Sequence, residues 1–382
     1  MSKKIVSIFV IAAFLALNFM QYTDVFAQEA MVLPPVGQIL PLSPAFTPAM
    51  IKGIKLHRDN PFEFDFIINQ GQENLSESQF KEASLKLVKY FLASLTIPEK
   101  DLWVNLSPYE KNRITTPALG VTEMGKDLLS QDYVLKQLTS SLIYPDGKTG
   151  KEFWSKVYAL AQAKYHTTNI PVNTFNKVWI VPQKAVVYEN ATSDIAYVVE
   201  SKLKVMLEED YLALSKHVDS LVTPQNDVNS LGSQVVREMV IPELTKEVNE
   251  GKNFANLRQM TNSLILAAWF KRTLKASILS KLYVDQKKMA GVDIKDKTMT
   301  ERIFQQYLQA YKKGVYNYIR EEEDPATHQI IPRKYFSGGV VEQFVVGKNL
   351  VIQNSVNQAQ LAGLGSNRAV TIQLDNAMTL AH

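Results

Sequence analysis

Residues 252–290 run for thirty-nine positions without a glycine or proline, and their middle, 264–270, reads LILAAWF. Nothing in that stretch supplies turn chemistry, so helix is the natural conformation. Leu257, Met260, Leu264, Ala268, Ile278 and Leu282 recur on one side at 3.6 residues per turn. Across 264–270 the apolar character goes all the way round, and seven residues fall far short of the roughly 20 that cross a bilayer. The neighbours on every side are therefore expected to be other helices, which makes this the core helix. Lys271 and Lys275 then sit one turn apart on the apolar side, where like charges repel by a few tenths of a kcal/mol. Either the helix leaves the core there or the cations meet acidic partners.

A chain of 382 residues with 46% hydrophobic and 21% charged content can bury a sizeable core and has the length of two ordinary domains. Its N-terminus is the most specific signal. Lys3 and Lys4 precede the apolar run 5–19, and Val25-Phe26-Ala27 before Gln28 is a small-x-small cleavage pattern. Residues 1–27 read as a removable secretion signal; the alternative is a retained membrane anchor. With no cysteine anywhere, lipoprotein processing, disulfides and thiolate metal sites are excluded, and an exported life must rest on burial alone. Loss of Lys3, Lys4 and Asp24 takes the formal charge from +4 to about +3, too weak a field to imply nucleic acid. No transmembrane segment is expected after cleavage.

Residues 28–70 read as a proline-rich arm followed by a β-hairpin. Pro34, Pro35, Pro41, Pro44 and Pro48 forbid a helix, and Val36, Ile39, Leu40, Leu42, Phe46 and Met50 offer apolar surface for a strap over the core. Recognition of the prolines by another protein is the alternative. The hairpin turns at 57–61, with Phe62, Phe64, Phe66 and Ile68 on one face and Glu63 and Asp65 on the other. Residues 71–170 read as a helical region with capping boxes at Ser76/Gln79 and Thr149/Glu152. Its 122–144 helix carries Met124, Leu128, Leu135, Leu138 and Leu142 on one side. Residues 171–218 alternate as a small antiparallel sheet of short runs, interrupted by Pro182. Polar 219–232 reads as a linker, and 233–330 as a second helical region that Pro242 must kink or break. In its last helix, 300–323, apolar Ile303, Phe304, Tyr307, Leu308, Tyr311, Val315, Tyr318 and Ile319 oppose basic Arg302, Lys312, Lys313 and Arg320. Residues 331–382 form a β-rich tail. The expected class is α+β, predominantly helical, with two helical layers, a small antiparallel sheet between them and that short tail.

Catalytic motifs are sparse. The five histidines are scattered without metal-binding spacing, so no metal site and no cofactor is expected. His57 could meet Asp59, Glu63 or Asp65 across the hairpin and do acid–base work, although such groups are usually solvated. Ser78-x-x-Lys81 with Lys148-Thr149-Gly150 imitates penicillin-binding serine enzymes poorly, because the Lys-Thr-Gly opens a helix where that chemistry needs a strand edge. The acidic clusters 208–210 and 321–324 read as solvated helix ends or as partners for Lys271, Arg272 and Lys275. Basic faces formed by Lys271, Arg272 and Lys275, or by Arg302, Lys312, Lys313 and Arg320, could instead touch anionic lipid or envelope polymer.

The stretches DLWVNLSPYE (101–110), TEMGKDLLSQDYVLKQL (122–138), FNKVWIVPQKAVVYE (175–189), YVVESKLKVMLEEDYLAL (197–214), NEGKNFANLRQ (249–259) and IPRKYFSGG (331–339) resemble a family of uncharacterised exported proteins of uncultivated candidate-phylum bacteria. The resemblance spans roughly residues 30–340 and implies a periplasmic or extracellular envelope setting. It implies no activity and no catalytic residue. The expectation is an envelope protein that binds or scaffolds envelope polymer, anionic lipid or another envelope protein. The alternative is an envelope hydrolase acting on glycan or peptide.

Overall fold

The computed structural model describes residues 33–57, 60–107, 114–169, 177–190, 194–215, 227–275, 297–313, 318–323, 330–335, 339–341, 350–353 and 367–373. The signal expected at 1–27 lies outside them, as does the 276–290 part of the glycine-free stretch. Among the described residues no helix is long and apolar enough to cross a membrane. The fold is mixed, with helices and an antiparallel sheet.

The hairpin forms as its alternation requires. Strand β1 (Met50–His57) pairs antiparallel with β2 (Asn60–Asn69), and Phe64, Phe66 and Ile68 are buried while Asp65, Ile67 and Asn69 are partly exposed. Helix α1 (Glu77–Thr96) starts at the expected capping box, with both reciprocal bonds between Ser76 and Gln79 present. After a 3-10 turn at Glu99–Asp101 come β3 (Trp103–Val104), the single turn α2 (Pro117–Gly120), α3 (Glu123–Leu142) and α4 (Lys148–Tyr165). The second capping box does not form. Gly147 is the N-cap of α4, with no side-chain hydrogen bond. A Cβ on Gly150 would strike the Tyr144 carbonyl, so this first-turn position, where the entering chain passes close, requires glycine.

Beyond it, the short runs expected around Pro182 are one long hairpin, β4 (Val178–Asn190) with β5 (Ile195–Leu207), and the register shifts between Pro182 and Lys184. A bulge accommodates the missing N–H of proline, so the strand is not cut. The strand-to-helix change falls at α5 (Glu208–Ser215). Helix α6 (Asp227–Val235) takes in the end of the expected linker; 216–226 lie outside the described residues. A π-helical turn, Val236–Val240, runs directly into α7 (Ile241–Glu250); where Pro242 was expected to kink or break the helix, the helical run is unbroken and widens to a π turn just before the proline.

The core helix is α8 (Ala255–Lys275), and every residue from Leu264 to Phe270 is at most 6% exposed. Phe270 meets Phe64 edge to face at 5.0 Å and Phe91 of α1 at 6.4 Å. Ser263 Oγ donates to the Leu87 carbonyl (3.4 Å). The two helical regions therefore touch each other directly, where a sheet between them was expected. They share the apolar face of β1–β2, because only that face carries the phenylalanines. Helix α9 (Lys297–Lys312) follows, and the chain then turns to strand: β6 (Tyr318–Glu323) pairs with β7 (Ile330–Tyr335). The helix expected at 300–323 thus starts slightly earlier and ends at Lys312.

The body of the main sheet is the antiparallel run β2–β1–β5–β4. Strands β8 (Val340–Val341) and β9 (Leu350–Gln353) lie parallel to β4, β3 pairs with β8, and β10 (Asn367–Gln373) pairs with β2. Strands β1 and β5 pair at Gly53–Lys55 with Ile195–Tyr197, and Leu56 N donates to Asp194 O (2.9 Å) at one end; past Gly53 and Tyr197, at the other end, the register does not continue. Amide side chains occupy the gap. Asn249 bonds both the N–H (2.9 Å) and the C=O (2.8 Å) of Leu203, as a neighbouring strand would. Gln259 donates to Ala49 O (2.7 Å), and Asn262 joins Ile51 O (3.2 Å) to Ser201 Oγ (3.1 Å). Such edges, buried and unpaired, would otherwise destabilise by about 1–3 kcal/mol per group.

Candidate functional site around a buried polar helix

Helix α3 was expected to bury one stripe, and it buries nearly all of its surface, Asp127, Ser130, Gln131, Asp132, Lys136, Gln137, Thr139 and Ser140 included. Its polar residues divide among three neighbours. Towards α1, Asp127 accepts from the Tyr90 hydroxyl and pairs with Lys86 (3.0 Å). Burial raises the Asp127 pKa, against the opposing pull of the Lys86 cation and the Tyr90 hydroxyl; burial, reinforced by Asp127, raises that of Tyr90 well above its usual value. Towards β3 and α9, Asp132 and Lys136 form an ion pair at 2.5 Å with both side chains wholly buried. Asp132 Oδ2 also accepts from Leu106 N (2.6 Å), and Lys136 Nζ lies 5.6 Å from the centre of the Tyr307 ring. Burial pushes the Asp132 pKa up to about 6, although Lys136 and the Leu106 amide pull it down. Its Oδ1 has no hydrogen-bond partner among the described residues.

The third face holds the arm. Tyr133, Gln137 and Ser141 recur at i, i+4 and i+8, so they align on one side. The Tyr133 hydroxyl donates to Pro34 O (3.0 Å), Gln137 Nε2 to Pro35 O (3.3 Å) and Gln38 O (2.7 Å), and Leu40 N donates to Ser141 Oγ (2.9 Å). Further along, Asn253 donates to Pro41 O (3.1 Å), and Glu247 accepts from the Ser43 N–H (3.0 Å) and hydroxyl. Lys252 N donates to Pro44 O (3.2 Å), and Arg258 donates to Phe46 O (2.6 Å) and to the carbonyls of Val248 and Gly251. Burial lowers the Arg258 pKa to about 10, against Glu247 and Glu250. The arm is a strap, as expected, held through its backbone as well as by the half-buried Val36, Leu40 and Phe46. No residue from Pro34 to Thr47 is buried, and Ile39 and Leu42 are 52% and 41% exposed.

The expected basic faces fare unevenly. Lys271 is half-buried and donates to Ile97 O (3.4 Å), the C-cap carbonyl of α1; a cation at a helix C-terminus suits the dipole. Arg272 is exposed, and Lys275 closes α8 with its side chain outside the described residues. Arg302, Lys312 and Lys313 are exposed on and just beyond α9. Arg320 does not continue their face, because it lies on β6, opposite Arg333. Of the acidic residues, Glu209 and Asp210 pair with Arg237, and Glu208 lies 3.8 Å from Lys177. His57 Nε2 reaches Asp65 Oδ2 at 3.0 Å, on the partly exposed face of the hairpin; Asp59 lies outside the described residues, as does the side chain of Glu63. Among the described residues no three His, Cys, Asp or Glu side chains converge as a metal site.

Sequence reading missed Asp132, Lys136, Tyr133, Gln137, Glu247 and Arg258. One signal was available: the polar positions of α3 after Asp127 are mostly Ser, Gln and Thr, where exposed faces such as that of α4 carry Lys and Glu. No protein-family model, curated protein or solved structure matches the chain.

Proposed function

We propose that this is an exported bacterial envelope protein that binds or scaffolds, with envelope polymer, anionic lipid or another envelope protein as its partner. The observation that carries this reading is the pair Lys312 and Lys313, exposed at the end of α9 with no acidic partner among the described residues. Exposed Arg272 and Arg302 add to the positive surface. Cations on a protein of small net charge attract anionic polymers weakly and in a salt-dependent way. The test is co-sedimentation of residues 28–382 with isolated membrane, peptidoglycan and outer-polymer fractions over a salt series. Binding should fall as salt rises and weaken in K312E/K313E; a chain that stays in the supernatant at every salt concentration overturns the proposal.

A second reading, an envelope hydrolase of glycan or peptide, draws support from the raised pKa values of Asp127 and Asp132 on one helix, since perturbed carboxyls accompany active sites. Structural ion pairs perturb carboxyls too. Asp132 is wholly buried, out of reach of a polymer, which favours binding over hydrolysis. Release of soluble fragments from peptidoglycan by the wild-type chain but not by D127N or D132N would reverse that preference.

A further inference from the structure

The bed beneath the arm reads main chain. Of the arm's side chains only the Ser43 hydroxyl hydrogen-bonds to the bed among the described contacts; the other bonds go to its carbonyls and amides. Four of its five prolines, Pro34, Pro35, Pro41 and Pro44, present carbonyls that accept from Tyr133, Gln137, Asn253 and the Lys252 N–H. The arm turns once, at Val36–Gly37, where Gln38 N donates to Pro35 O (3.2 Å); beyond that turn no bond within the arm is among the described contacts, and its prolines leave little conformational entropy to lose on docking. Donors set along a groove suit that ligand. The arm is also the kind of element that can leave. It is attached through Pro48 and Ala49 to β1, none of it is buried from Pro34 to Thr47, and its apolar Ile39 and Leu42 already face solvent. Lifting it uncovers the half-buried Val36, Leu40 and Phe46 and strands the buried donors and acceptors Gln137 and Glu247. Those groups need a replacement of the same kind, and the same segment of another copy restores every bond.

We infer that the groove formed by α3, the end of α7 and the start of α8 is a binding site for proline-rich polypeptide, occupied in cis by residues 34–47, and that it takes the same segment of a second copy in trans. Arm exchange between copies follows, and it depends on protein concentration. The inference stands on the groove alone and is independent of the basic surface proposed above.

The absence of native cysteine makes the test clean. Ser43 Oγ lies 3.0 Å from Asn253 N, so cysteines at these two positions report arm and bed. Mature S43C and N253C chains are mixed under native conditions with oxidised glutathione, and the 43–253 cross-link between copies is sought by mass spectrometry. The S43C/N253C double variant shows whether the bond closes within one chain. Exchange predicts a 43–253 link between copies that increases with concentration. Closure in the double variant with no link between copies overturns the inference. If the double variant does not close, a fluorescent peptide of residues 34–49 decides. L40P/S43P removes two arm N–H donors and leaves the bed intact, so the peptide should bind this full-length variant about tenfold or more tighter than wild type, and E247Q should weaken it again. No binding to L40P/S43P, with its thermal unfolding intact, overturns the inference.

Discussion

Replacing Lys136 by methionine keeps the side chain's length and leaves the Asp132 carboxylate alone in the interior. Breaking a buried ion pair from one side costs about 3–5 kcal/mol, and the two side chains here are fully buried, so solvent screening does not reduce it. The pH dependence is the sharper consequence. Asp132 titrates at about 6 in the folded protein against an ordinary 3.8. Because the folded value is raised, the folded state holds more protons than the unfolded state between about pH 4 and 6. Stability therefore falls as pH rises across that window, by about 3 kcal/mol at roughly 1.4 kcal/mol per pKa unit. Above about pH 6 the native protein is flat with respect to this group. In K136M the attraction opposing burial is gone, the folded pKa climbs further, and the falling limb extends to higher pH. The loss relative to the native protein should be constant below about pH 6 and grow by roughly 1.4 kcal/mol per pH unit above it. Urea denaturation followed by circular dichroism, at intervals between about pH 5 and 8, measures this, and D132N/K136M should recover most of the loss at the upper end. An equal loss across the whole range would refute the assignment of Lys136 as the group that keeps Asp132 ionised.

Ser76→Ala should cost about 1 kcal/mol in urea denaturation, since it removes one half of a formed capping box. Asn249→Leu keeps approximate volume but strips both bonds from Leu203, and should lower stability by about 1–3 kcal/mol with faster amide exchange at Leu203 and Val205. Gly125→Ala places a Cβ against the Leu119 carbonyl, so the tight turn from α2 into α3 must open; a loss of about 3 kcal/mol is expected, and wild-type thermal stability would contradict the packing. Arg258→Lys keeps the charge but loses the planar fork that bonds Phe46 O, Val248 O and Gly251 O together, so the unfolding midpoint should drop despite conserved charge.

Local chemistry in the sequence was enough for the hairpin at 50–69, the Ser76 capping box and the all-round burial of 264–270. In each, neighbouring residues carry the whole signal: alternation, a Ser-x-x-Gln pair, an apolar girdle. The same reading overextended the last helix, because Tyr318 and Ile319 keep the apolar period of 303–311 although the backbone has become strand at β6. It misplaced the start of α4 by two residues, because the Thr-x-x-Glu pattern is present at 149 and 152 although Gly147 is the N-cap. It also expected the sheet between two helical layers, since periodicity identifies a buried face without naming what covers it.

The candidate site divides along the same line. Composition and the N-terminal pattern determined by themselves that no disulfide or thiolate site is available and that the proline-rich arm cannot be helix. Tertiary structure alone decided that the arm is held through its carbonyls, that Asp132 and Lys136 are paired out of water, and that Arg320 lies on a strand and not on the helix of Arg302 and Lys312. The physical reason is range: a hydrogen bond from Tyr133 to Pro34, or from Arg258 to Phe46, joins residues far apart in the chain. Main-chain acceptors look the same at every residue, so no side-chain pattern in the arm announces which of them will be met.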